Sequence, residues 1–399
     1  MKKSILFPLI FAGSTAAIGA GAYFIYSSST GEQNGTGVII NKGSQTSPRK
    51  DLSDSVDETE KQKENQQKTQ EPEKNMQNDN KQSIRLGFWN VLNYSNKISK
   101  SKKANSAKTY ALANVINATG SDVVGLAEIE VSGDGTDIVK ELEKLNPSAG
   151  WKEITTNKYG KEGQQEKYTF LYKSSLLETI NFEPNSNPYL IQEGTKLTWG
   201  RPVAAVKFQT KTNIKNDFTL AIGHFDAPGN KSKSRKEKND SEAPGQGEQE
   251  ANEARDLANV LAQIDEKDGP NNEIIFMGDT NIRSENTEKL FESTLKSYRL
   301  LLDKDEKTSL SSEFGKYANS YDKIFYKGDL KTKNARKYDL FSIFEKNIAN
   351  LEKYDQMRKQ DNRPPKKKYG GPKDVDRIKA ISDHTMVYFD LELNESDKN

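Results

Sequence analysis

From residue 83 onward the chain alternates short apolar runs with stretches in which apolar residues recur every three or four positions, the patterns of buried strands and of amphipathic helices. The run 274–277, Ile-Ile-Phe-Met closed by Gly278, has no polar alternation and predicts a strand buried on both faces. Residues 84–89, 123–127, 218–223, 321–326 and 385–391 read as further strands, and 166–173 and 202–209 as antiparallel ones. Helical spacing falls at 108–117 (Tyr110, Leu112, Val115, Ile116), at 248–264 (Ala254, Leu257, Ala258, Leu261, Ile264), around 286–301 and over 339–359. Residues 363–373 read as a Pro, Gly and Lys loop. No internal repeat emerges, and interleaved strands and helices predict an α/β (α+β) sandwich.

The pattern before residue 83 is different. Lys2 and Lys3 precede residues 5–26, about 22 positions without a charge, near the ~20 that cross a bilayer as a helix. We read 1–26 as a signal or transmembrane anchor. Ala20-Gly21-Ala22 offers a cleavage site, but the apolar run continues beyond it and favours an uncleaved anchor. The leading lysines place the amino terminus in the cytoplasm and the remainder outside the cell. Residues 27–82 are mostly Lys, Glu, Gln, Asn, Asp, Ser and Thr, with too little to bury, and predict a disordered tether. The globular domain is expected over 83–392, with a polar tail at 393–399.

Composition narrows the chemistry. The 60 basic and 58 acidic residues leave a net charge of +2, so any polyanion-binding surface must be local, as in the basic stretches around Lys231–Lys238 and Lys366–Lys368. Cysteine is absent, which excludes disulfides, thiolate metal sites, cysteine nucleophiles and a cysteine-linked lipid anchor. Histidine occurs only at His224 and His384, and each adjoins an apolar strand.

Other strand ends carry chemistry as well. Asp279 and Asn281 follow the 274–277 run and would point the same way if the strand continued. Glu128 ends the 123–127 strand, Asn90 ends the first, and Asp383 precedes His384. Acids, imidazoles and amides gathered on one sheet edge suit phosphodiester hydrolysis, which needs charge neutralisation, an oriented water and hydrogen-bond donors to phosphate.

The ordered segments Phe88-Trp89-Asn90, Leu126-Ala127-Glu128, Glu166-Lys167-Tyr168, Arg201-Pro202-Val203, Gly223-His224, Gly278-Asp279-Thr280-Asn281, Tyr321-Asp322-Lys323 and Ser382-Asp383-His384 resemble the motifs of the endonuclease/exonuclease/phosphatase superfamily, in its DNase I-like branch. The anchor, tether and Lys- and Asn-rich composition make the nearest likeness the membrane nucleases of mycoplasmas. The resemblance implies a four-layer sandwich of two packed mixed β-sheets flanked by helices. It also implies roles. Glu128 and Asp383 would ligate Mg²⁺, with Ca²⁺ or Mn²⁺ as alternatives. His224 oriented by Glu166, and His384 oriented by Asp322, would exchange protons. Asp279 would orient or deprotonate water, and Asn90, Asn281 and Arg201 would hold phosphate oxygens.

The expected function is that of an extracellular, membrane-anchored, Mg²⁺-dependent nuclease acting on DNA or RNA for nucleotide scavenging, with no protein partner implied. The alternatives are a sphingomyelinase or other phosphoesterase of the same superfamily, and a non-catalytic surface adhesin with the same fold. The chain lacks the cysteines for the disulfide of DNase I itself, and that enzyme's calcium sites are not carried over.

Overall fold

The computed structural model describes residues 81–97, 104–194, 199–228, 237–270, 273–363 and 370–395. The expected anchor, the expected tether up to residue 80, and the basic stretches 229–236 and 364–369 lie outside the described residues. Among the described residues, no helix is long and apolar enough to cross a membrane.

Two mixed sheets face each other. The strands are β1 (Ser83–Tyr94), β2 (Val123–Glu130), β3 (Trp151–Thr155), β4 (Glu166–Lys173), β5 (Leu177–Ile180), β6 (Leu190–Gln192), β7 (Val203–Thr210), β8 (Asp217–His224), β9 (Ile274–Asp279), β10 (Arg299–Leu300), β11 (Asp322–Lys327), β12 (Thr332–Lys337) and β13 (Val387–Glu392). The first sheet has the order β12-β13-β1-β2-β4-β3, and the second β10-β11-β9-β8-β7-β5, with β6 also on β7. Only the β1/β2 and β8/β9 pairs are parallel. The helices are α1 (Ser106–Thr119), α2 (Thr136–Leu145), α3 (Glu248–Lys267), the single turns α4 (Thr287–Leu290) and α5 (Glu292–Leu295), α6 (Leu351–Gln360) and α7 (Val375–Lys379).

Period-two alternation explains the layers. In β9, Ile275 and Met277 enter the core between the sheets, while Ile274 and Phe276 enter a second core beneath α3 with Ala254, Leu257 and Leu261. In β1, Leu86 and Phe88 face the other sheet, and Trp89 and Val91 pack with Leu112, Val115 and Ile116 of α1. The order helix, sheet, sheet, helix is the expected four-layer sandwich. Gly278 is required where β8 and β9 run parallel, since a Cβ there would lie 2.6 Å from the Gly223 carbonyl oxygen.

Several elements differ from their expectation. The helix expected around 286–301 is two short turns followed by β10, because Arg299 and Leu300 take up pairing with β11. The helix expected over 339–359 is a 3₁₀ turn at Leu340–Ser342 and then α6. Just before it, Thr332–Lys337 is an edge strand on β13, and Arg336 and Arg85 both lie over the Tyr388 ring, at 5.3 Å and 5.2 Å. Helix α2, whose Ile138 and Leu142 are buried, and strands β3, β5 and β6 have no counterpart in the sequence reading. Past β13, Leu393 N donates to Gln82 O and Asn394 N to Asn216 Oδ1, so ordered pairing continues beyond residue 392.

Candidate active site

The chemistry-bearing strand ends meet at one edge of the sandwich. In the second sheet, register sets His224 beside Asp279 and Asp279 beside Asp322. The first sheet contributes Asn90 from β1, Glu128 from β2, Glu166 at the start of β4, and Asp383 and His384 just before β13.

Both histidines pair with acids across the gap between the sheets. His224 Nδ1 lies 2.9 Å from Glu166 Oε1 and 3.1 Å from Oε2. His384 Nδ1 lies 2.8 Å from Asp322 Oδ2. A carboxylate can only accept, so each imidazole carries its proton on Nδ1 and presents Nε2 to the shared centre. That centre is Asp279. Its Oδ2 is 3.4 Å from His384 Nε2 and 3.8 Å from His224 Nε2, and it accepts from Asn90 Nδ2 at 3.0 Å.

All of these groups except Glu128 and Asp383 are nearly sealed, with His224 and His384 each 7% exposed. Burial opposes charging of His224 and Arg201 repels it, but Glu166 and Asp279 outweigh both and raise the imidazole above its ordinary value. Burial likewise opposes charging of His384, and the flanking Asp279 and Asp322 carboxylates overcome it and hold that imidazole well above its ordinary value. Burial opposes ionisation of Asp279, yet His384 and His224 keep its carboxyl below the usual range.

Glu128 is held from two sides. Asn90 Nδ2 donates to its Oε1 at 2.9 Å and Asn93 N to its Oε2 at 2.9 Å. Its backbone is left-handed, with φ 60°, at the irregularity between Leu126 and Ile129 in the β2/β4 pairing. Leu92 and Asn93 opposite are left-handed too, with φ 47° and 51°, and Lys108 of α1 caps this turn by donating from Nζ to Leu92 O at 2.5 Å. Burial lowers the Lys108 ammonium to about 8, against the attraction of Glu128 and Asp383.

The donor set suits a hard divalent cation. Asp383 Oδ1 is buried without a hydrogen-bond partner and Glu128 is fixed in place, so these two carboxylates would hold the ion. Asp279, Asp322 and His384 also bring ligand atoms within 4.8 Å of one another. There the His384 Nδ1 proton is shared with Asp322 Oδ2, while Asp322 Oδ1 is buried without a hydrogen-bond partner, so that group too keeps an open ligand atom.

Two expected phosphate contacts are otherwise engaged. Arg201, 7% exposed, donates from Nε to His224 O at 2.9 Å and from Nη2 to Phe225 O at 2.6 Å, with Glu166 Oε1 at 3.4 Å. Its guanidinium lies behind the His224–Glu166 pair as a buttress. Asn281 does not continue the strand: β9 ends at Asp279, and Asn281 turns left-handed, with φ 54°. Its Nδ2 then donates to Phe225 O at 3.2 Å and its N to Asp279 Oδ1 at 3.1 Å, so it fixes the turn that aims Asp279.

Sequence reasoning missed Lys108, which looks like one more polar residue of a helix start, and the Ser382 hydroxyl. Ser382 Oγ donates to Asn90 O at 2.7 Å and accepts from His384 N at 3.0 Å, which ties the two strand ends together. Its place in Ser-Asp-His was the available signal. Tyr168 was also missed; its hydroxyl accepts from His224 N at 3.2 Å.

No family model matches the sequence. An uncharacterized protein of Mycoplasma pneumoniae is 39% identical over 142 residues, 35% of this chain, and the match spans only 28% of that protein. Among solved structures, an endonuclease/exonuclease/phosphatase from Bacteroides vulgatus superposes with a TM-score of 0.48 and 14% identity over 79% of this chain and all (100%) of its own. The human Nocturnin catalytic domain with bound sulfate gives 0.47 and 13% over 78% of this chain and 95% of its own. D. rerio TDP2 complexed with a single-strand DNA product gives 0.46 and 13% over 78% and 99%.

Proposed function

We propose that this chain is a phosphodiester hydrolase of the endonuclease/exonuclease/phosphatase superfamily, acting as a Mg²⁺-dependent nuclease on DNA or RNA. The observation that carries the reading is the convergence of two imidazoles, each backed by an acid from the opposite sheet, on the single carboxylate Asp279. An imidazole on each side of one carboxylate suits a displacement in which one proton leaves the attacking water and another reaches the departing oxygen.

Asp279 takes the water proton, positioned by Asn90 and the Asn281 turn. His384, protonated at this site, donates to a nonbridging phosphate oxygen, and His224 donates toward the leaving oxygen. Glu166 and Asp322 keep both rings in the right tautomer and stabilise their positive charge. A divalent cation held by Glu128 and Asp383 would neutralise charge on the phosphate. Asn90, which donates from Nδ2 to both Glu128 and Asp279, sets these two carboxylates relative to each other.

Anchorage by residues 1–26 with the domain outside the cell, and a role in nucleotide scavenging, belong to this proposal and rest on the sequence pattern alone. The test is to incubate the full-length chain with plasmid DNA, RNA and sphingomyelin, each with Mg²⁺ and with EDTA. Chelator-sensitive cleavage of nucleic acid is expected. Release of phosphocholine with nucleic acid left intact would overturn the substrate assignment, and no cleavage of any of the three would overturn the enzyme reading.

A further inference from the structure

Arg201 is turned toward backbone carbonyls, which leaves a place for a second cation to meet a polyanionic substrate. Arg283 fits that place. Its side chain is 32% exposed, and its nearest ion partner, Glu285, is 4.0 Å away and itself 58% exposed, a pair that neutralises little. Its Nε is buried without a hydrogen-bond partner. Its positive charge acts on the Tyr321 hydroxyl, favouring ionisation against the burial that opposes it, and the Tyr321 ring is stacked on His384 with centroids 6.3 Å apart and planes 25° apart. One aromatic ring therefore separates Arg283 from the proton-transfer centre.

The surroundings are built to hold it there. Gly245 has φ 78°, which L side chains rarely adopt, and a Cβ on it would lie 2.6 Å from Arg283 Nη1, so a larger residue would strain the turn and displace the guanidinium. Gln246, fully buried, donates from Nε2 to Asn281 O at 3.1 Å and accepts from Arg283 N at 3.1 Å through Oε1. The same short turn thus fixes Asp279, Asn281 and Arg283 together.

We infer that Arg283 receives a phosphate flanking the scissile one, so that the site selects a phosphodiester embedded in a polyanion over an isolated diester. The planar fork of arginine suits paired hydrogen bonds to phosphate oxygens. This rests on the nuclease reading and narrows it. The carboxylates Glu128, Asp279 and Asp383 repel any additional phosphate, and Arg283 offsets that repulsion at the edge of the site.

The test compares the full-length wild type with Arg283→Gln and Arg283→Lys on a single-stranded oligonucleotide and on bis(p-nitrophenyl) phosphate, which has one phosphodiester and no flanking phosphate. Arg283→Gln is expected to raise KM for the oligonucleotide about tenfold, at least five times its effect on the small diester, and to flatten the slope of log(kcat/KM) against log[salt] by about 0.7, one single-strand phosphate contact. Arg283→Lys, which keeps the charge, is expected to keep the wild-type slope. Equal losses on both substrates, or a wild-type slope in Arg283→Gln, would overturn the inference and leave the nuclease reading standing. A wild-type enzyme that cleaves the small diester but not the oligonucleotide would sink the nuclease reading itself.

Discussion

His224 and Glu166 belong to opposite sheets and meet with Nδ1 2.9 Å from Oε1, so the pair exists only when the two sheets pack in one register. Groups that act as a unit show non-additive losses. His224→Ala and Glu166→Ala are each expected to lower kcat by about 10² or more, the range that general acid/base groups supply. The double variant should be little worse than His224→Ala alone. Steady-state kinetics on the four proteins checks this, and losses that simply multiply would break the pairing.

Arg201 separates a buttress from a substrate contact. Removing one partner from a buried, hydrogen-bonded ion pair costs about 3–5 kcal/mol. Arg201→Met is therefore expected to lower stability by that order in urea unfolding and to reduce kcat, with KM for nucleic acid nearly unchanged. A rise in KM with unchanged stability would return Arg201 to the phosphate.

Metal ligation predicts a different signature. Glu128→Gln keeps an acceptor for Asn93 N but removes the charge, and Asp383→Asn does the same at the unpartnered oxygen. Each is expected to weaken Mg²⁺ binding by about tenfold or more, measured by calorimetry without substrate. Both variants binding Mg²⁺ as the wild type does would remove these carboxylates from the metal site.

Glu250, which accepts from Gln246 Nε2 at 3.1 Å, sets a pH dependence of stability. It is sealed under Gly247, with Oε2 unpartnered, and burial pushes its carboxyl up to about 7. A raised acid binds more protons folded than unfolded between about 4.5 and 7, so its ionisation destabilises the fold progressively as pH rises through that window and fully above it. Glu250→Gln is expected to be more stable than wild type at pH 8 by about 2 kcal/mol after allowing for screening, and to lose most of that gain at pH 4.5. Denaturant unfolding at both pH values decides it; the same difference at both would mean that Glu250 does not titrate in this range.

The run 274–277, followed by Gly278 and Asp279, was legible because continuous burial imposes an unbroken apolar pattern, and a strand's end is where a polar group first reaches solvent. The same logic gave Asn90, Glu128, His224 and His384, each beside an apolar strand. Sequence likewise fixed what is impossible, since a chain without cysteine has neither disulfide nor thiolate chemistry. Strands such as β12, with exposed Lys333 and Asn334, were illegible because an edge strand buries little and leaves no periodicity.

Tertiary structure alone decided what each polar side chain faces. Arg201 and Asn281 carry the residue types of phosphate contacts, and the structure shows them donating to His224 O and Phe225 O, since a buried donor must find an acceptor. Lys108 shows the converse: local sequence does not mark it, and only the packing of α1 on β1 brings it to the turn beside Glu128. Local pattern reports burial, which is a property of one segment, whereas hydrogen-bond partnership is a property of two segments and is settled only when the sheets meet.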